Sequence, residues 1–318
     1  MKRLVKFAVA LVVLLVVAAA AVVFSIDSIA KQAVEMAGTH VLGTPTTVGS
    51  MRIGLLNPSA SMTALAVDNP SSFAGDAGGA KFLALQNGSL AVDAKSLMGD
   101  VVRIPSVRLS DLSLTLVQKG SESNATAILD HMKRTVGGSG GGSGGGSSSS
   151  SRRFVIDELL IENISIRATA SGLPVEVPAA NLKVARIRLE SLGSGGKDPV
   201  GMEQLVAIVV NAVMQAAIEA GASQLPAQLV QGMLGGMSGL GGGLANFNLS
   251  IDSGSGLQPV GDLGTLAKRA GVDLSALSGK AGEEVQKGLG DVGKQLEDAG
   301  SKATEGIKKG LDDILKPK

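Results

Sequence analysis

Residues Phe7–Phe24, FAVALVVLLVVAAAAVVF, contain no charge, no Gly and no Pro, and the apolar run continues through Ile26. A helix of about 20 apolar residues crosses the ~30 Å hydrocarbon layer of a bilayer, which this stretch matches. Lys2, Arg3 and Lys6 precede it and Asp27 is the first charge after it. The positive-inside rule therefore keeps the N-terminus in the cytoplasm and exports the residues beyond Ile26. A cleaved signal peptide is the competing reading, with AAAA offering an A-x-A site, but signal apolar regions usually run about 7–15 residues. The run is accordingly read as a single-pass anchor, with the rest of the chain outside the cytoplasm.

Helical spacing does not stop at the membrane. Ile26, Ile29, Ala30, Ala33, Val34, Ala37 and Val41 keep it, while Asp27, Lys31 and Glu35 form i,i+4 opposite-charge pairs on another face. One helix is predicted from about Leu4 to about Val41, ended by Gly43 as cap and by Pro45.

From Thr46 the period changes to two. Strands are predicted from Val48, at Ser61–Val67, at Phe82–Leu85 and Ser89–Val92 around an Asn87-Gly88 hairpin turn, and at Val101–Leu109 and Leu112–Val117. Asn57-Pro58 reads as a turn and Asn124–Arg134 as a helix. An internal repeat then emerges: IPSVRLSDLSL from Ile104 aligns with IDELLIENISI from Ile156. Apolar residues agree at the first, fourth, sixth, ninth and eleventh positions, and Asp111/Asn163 and Ser113/Ser165 agree as well. Such a unit is two short strands joined by an Asp/Asn bulge or tight turn, and its repetition implies a meander growing strand by strand.

Between the copies, residues 137–151 are Gly and Ser alone. The composition is that of an engineered linker, but its place between repeat copies makes it a flexible loop inside one domain. Further strands are predicted at Phe154–Leu160, Ile164–Ala168, Val175–Val177 and Asn181–Glu190. Asp198-Pro199 then marks a helix start. Leu205, Ile208, Val209, Ala212, Val213, Ala216 and Ala220 make that helix so apolar that it must be covered, most simply by the sheet. Residues 223–281 are Gly- and Met-rich and read as poorly ordered. In 282–318, acids recur every seven residues from Glu284 to Asp312 beside an apolar seam, which is an amphipathic helix. The six glycines from Gly288 to Gly310, each costing about 1 kcal/mol, leave it to order only against a membrane, the sheet or an envelope protein partner.

Catalytic chemistry has little support. The two histidines, His40 and His131, have no second ligand or triad partner in sequence, Cys is absent, and no H-E-x-x-H occurs. No enzyme activity, cofactor or metal is expected. A net charge of +1 gives nucleic acid no electrostatic footprint.

LGTPTTVGSMRIGLL after an anchor helix, then ALAVDNPSSF, resembles the amino-terminal module of the AsmA family. SLMGDVVRIPSVRLSDLSL and FVIDELLIENISI are similar to that family's strand repeats. The likeness covers about residues 1–190, and N-P-x-x-F is its most specific piece. The resemblance implies an inner-membrane anchor, a curved sheet open along one side, an apolar groove that shields acyl chains, and a role in outer-membrane assembly or phospholipid movement. The Gly/Ser insertion and the heptad tail depart from it. About ten strands at ~4.8 Å give a groove of roughly 50 Å, too short to span a periplasm alone.

The fold expected is therefore α+β: a transmembrane helix, a curved antiparallel sheet with an open groove, a covering apolar helix and an amphipathic C-terminal helix. Its parts are an anchor (1–42), a β module (43–136 and 152–222) split by the 137–151 loop, a poorly ordered stretch (223–281) and a helical tail (282–318). The groove candidates are Met51, Ile53, Leu65, Val67, Ile104, Leu112, Leu114, Ile161, Ile164 and Ile166, with phospholipid as the ligand. The rival expectation is a non-catalytic envelope scaffold with a dry β core and a partner-binding tail.

Overall fold

A computed structural model describes residues 25–54, 57–136, 152–171, 178–194, 198–221, 224–238, 240, 248–254, 256–260 and 263–271. The Phe7–Phe24 anchor, the 137–151 loop, the Val175–Val177 strand and the 282–318 tail lie outside the described residues.

The chain forms a mixed α+β fold on one large, open, curved sheet of nine strands. Helix α1 (residues 25–42) leads into β1 (Thr46–Gly54), β2 (Ser59–Val67), β3 (Leu83–Ala91) and β4 (Val101–Lys119). The two-residue β5 (Glu122–Ser123) and helix α2 (Asn124–Val136) come next. They precede β6 (Arg153–Ser171), β7 (Ala180–Leu192), α3 (Met202–Gly221), α4 (Ala227–Ser238), β8 (Asn248–Asp252), β9 (Gln258–Pro259) and α5 (Leu263–Arg269). The sheet order is β1-β2-β3-β4-β6-β7-β8-β9, with β5 paired to β4.

The expected all-antiparallel meander is corrected at its centre. β4 and β6 are parallel, in register from Val101↔Arg153 to Lys119↔Ser171. After Gly120 the chain turns into α2 and returns to the start of the sheet, a crossover of the length that parallel pairing requires. The repeat explains the register: Ile104 pairs with Ile156, Leu112 with Ile164 and Leu114 with Ile166, so the two copies lie side by side, position for position.

A second departure from simple alternation runs across β1–β4, β6 and β7. Gly49, Ala64, Gln86, Asp111, Asn163 and Ala185 occupy one transverse row, and each drops out of the strand pairing. A shorter row contains Pro105, Asp157 and Ser191. All four non-glycine residues with positive φ among the described residues sit on these rows: Ala64 (52°), Asp111 (60°), Asn163 (56°) and Ser191 (60°). Each row places two successive residues on the outer face, as at Gly49-Ser50 and Gln86-Asn87. Inward residues therefore keep a spacing of three, two, three, two: Ile104, Val107, Leu109, Leu112, Leu114. The effect is that of a bulge repeated in each of these strands, a device that bends a sheet. Pro105 is tolerated mid-strand because its row donates nothing to the ladder. Asn87-Gly88 directly follows Gln86 of the longer row and is paired on both sides within β3, so the predicted hairpin turn there is corrected to one continuous, kinked strand.

The stretch expected to be poorly ordered is also corrected. Within it, α4 buries Leu229, Val230, Met233, Leu234 and Met237, and β8 extends the sheet beside β7. Gly232 and Gly236 explain α4. A Cβ on Gly236 would lie 2.7 Å from Leu129 Cβ of α2, so only glycine allows this approach. Helix α3 starts at Met202 rather than at Asp198-Pro199, because Val200 is held in a β-bridge to Phe154. Gln204 then accepts from the Gly201 N–H at 2.9 Å, as in a capping box. α3 is long and apolar enough to cross a membrane, but most of it is buried in the core, against β7 and β6.

The N-P-x-x-F segment is fastened by a buried amide network. Asn124 Nδ2 donates to Asn69 Oδ1 (2.6 Å) and to the Thr115 carbonyl (2.8 Å), while its Oδ1 accepts from Val117 N–H (2.9 Å). Asn69 Nδ2 donates to the Ala80 carbonyl, and Phe73 is buried behind it.

Candidate functional site

Helix α3 covers the β6–β7 half of the inner face, and α1 lies along the outer strand β1. Between them the inner face of β1–β4 lines a cavity of about 250 Å³. One wall is α1, through Val34, Gly38 and Leu42. The opposite wall is the first half of α3, through Met202, Leu205, Val206, Val209 and Val210. The floor comprises Met51, Met62, Leu65, Leu85, Leu109 and Leu112 with their neighbours on the four strands. Among the described residues, Thr46, Ser61 and Ser89 are the polar members of the lining, and none of it is ionisable.

The position of α1 depends on side chains that the sequence presents as a surface ion-pair row. Asp27 Oδ1 accepts from the Ile53 N–H (2.7 Å), Glu35 Oε1 from the Val48 N–H (2.7 Å), and Thr39 Oγ1 from the Thr46 N–H (3.0 Å). These residues and Lys31 fall four apart on one helix face. Asp27, Glu35 and Thr39 satisfy backbone donors, and Lys31 donates to the Gly49 carbonyl, groups that an edge strand otherwise presents to solvent or to another chain. At the far end of α1, Gly43 adopts φ +70°, and a Cβ there would lie 2.6 Å from His131 Cγ. His131 Nε2–H donates to the His40 carbonyl at 3.1 Å and joins α2 to the end of α1. The two histidines thus meet in the fold, with a structural contact between them.

Of the sequence-predicted groove residues, Met51, Leu65, Val67, Ile104 and Leu112 line the cavity. Ile53 is half-buried on β1 outside the lining. Leu114, Ile161, Ile164 and Ile166 are buried in the closed core. Sequence reasoning missed Met62, Val107, Leu109 and Leu159 and both helical walls. Strict alternation from Leu65 and Val67 points Thr63 and Ser61 inward, whereas the kink at Ala64 turns Met62 inward instead. No protein-family model and no curated protein matches the chain.

Proposed function

We propose that this chain is a membrane-anchored, AsmA-like envelope protein that shelters an acyl chain of a phospholipid in the cavity between α1 and α3. The observation that carries the reading is the cavity: about 250 Å³ of apolar lining with no charged group. Water is a poor occupant, since an ordered buried water needs about two to four polar partners. The volume lies just under the ~300–1,000 Å³ of small-molecule pockets, which fits part of one chain and leaves the headgroup outside. The role is non-catalytic, in phospholipid movement or outer-membrane assembly from an inner-membrane position.

The test is mass spectrometry of lipids retained by the detergent-extracted full chain, beside Met62→Trp, which fills the cavity floor. Phospholipid should accompany the unmodified protein and be lost from the variant at unchanged unfolding temperature. Lipid-free protein, or a variant that retains its lipid, would replace this reading with that of a dry scaffold.

A further inference from the structure

Six large apolar side chains are exposed among the described residues: Ile29, Met36, Leu97, Met98, Val101 and Met202. All but Met36 occupy one end of the molecule. α1 runs antiparallel to β1, so that Asp27 meets Ile53 at the end of that strand and Ile29 lies on the first described turn. The β1–β2 turn, the short helical segment Ala94–Met98 and the starts of β4 and β6 lie at the same end. The Phe154–Val200 bridge brings Met202 there as well. Met98 is 97% exposed. Single exposed hydrophobics are ordinary, but their collection at one end is the mark of an interaction surface.

We propose that this end seats on the surface of a lipid bilayer, with Leu97 and Met98 inserted among the acyl chains. The inference rests on the lipid-sheltering reading above and specifies how the site meets its source. Two observations select a bilayer as the occupant. The apolar run Phe7–Phe24 joins the fold at Ser25, at this end. The cavity also reaches this end, where Met202 of its wall is 38% exposed. Charge is mixed around the patch, with Lys95, Arg152 and Arg153 beside Asp93 and Asp100, so apolar insertion rather than headgroup charge carries the contact.

The chain has no Trp, so one introduced indole reports alone. The full chain carrying Met98→Trp is reconstituted into phosphatidylcholine vesicles with and without brominated acyl chains. Glu122→Trp, exposed at the opposite end, serves as the reference. Met98→Trp should emit at shorter wavelength and lose most of its intensity in brominated vesicles, while Glu122→Trp keeps its own. Equal emission of Met98→Trp in both vesicles, or equal loss at both positions, overturns the seating. Retained lipid is measured separately on the unmodified chain, so failure of the seating and failure of the cavity reading are distinguishable.

Discussion

Glu35 and Val48 join the first helix to the first strand: Glu35 Oε1 accepts the Val48 N–H at 2.7 Å, thirteen residues along the chain. A carboxylate here does what a neighbouring strand does elsewhere in the sheet. Glu35→Leu removes the acceptor and leaves a part-buried donor unmet, which costs about 1–3 kcal/mol. Chemical denaturation should show that loss, and amide exchange at Val48 should accelerate. Glu35→Gln keeps an acceptor and should recover part of it.

Asn163 and Asp111 stand beside one another on the longer kink row, with Asn163 Nδ2 donating to Asp111 Oδ1 at 3.2 Å. Both are left-handed, at 56° and 60°. A β-branched residue is poorly suited to that conformation, and Asn163→Val should destabilise the fold by roughly 1–3 kcal/mol. Asn163→Gly removes the strain along with the hydrogen bond, and thermal unfolding should place it between the two.

The contact of α4 with α2 has no room for a methyl group. A Cβ on Gly232 would lie 2.6 Å from Thr126 Oγ1, and one on Gly236 would press on the fully buried Leu129. Gly236→Ala should therefore lower stability by about 1–3 kcal/mol through overpacking, despite alanine's better helix propensity. Urea unfolding of Gly236→Ala beside the unmodified chain reads the loss directly.

Asp76 ties the 69–80 loop to the far end of the sheet. Lys119 Nζ donates to its Oδ2 (3.1 Å) and Ser171 Oγ to its Oδ1 (3.3 Å). The hydrogen bond from Lys119, with its charge, holds the Asp76 carboxyl below the ordinary carboxylate value. A depressed folded-state pKa stabilises above the ordinary value, and that contribution disappears as pH falls through the lowered one. Lys119→Met should move the Asp76 titration midpoint upward, as read by carboxyl carbon NMR. An unchanged midpoint would mean that the contact does not persist in solution.

The sequence reveals this fold where the chemistry is local. Gly43 ends α1 in the left-handed conformation, at φ +70°, that glycine adopts without strain, and the Asn57-Pro58 turn stands where its residues place it. The repeat is legible too, and its spacing of three, two, three, two already encodes the kink rows. Read as alternation, however, it assigns Ser61 rather than Met62 to the inner face. Strand direction is less accessible. Apolar spacing is the same whether the copy at Ile156 lies parallel or antiparallel to that at Ile104, and the α2 crossover decides it. The cavity walls are harder still. Asp27 and Glu35 read as partners of Lys31, whereas the strand they serve lies thirteen or more residues away. Leu114 and Ile161 are as apolar as Leu65, and only the position of α3 separates a closed core from a cavity floor.

The parallel seam between β4 and β6 also determines how the polypeptide can be divided. A backbone cut within residues 137–151 leaves α1, β1–β5 and α2 on one fragment and β6–β9 with α3–α5 on the other. Each half then carries one long unsatisfied strand as a template for its counterpart. A slip of one position would turn Ile156, Ile161 and Ile164 toward solvent, so the two halves have a single register in which to reassemble. Co-produced, they should reconstitute the intact sheet. Produced alone, either half exposes a strand of nineteen residues and should associate with copies of itself.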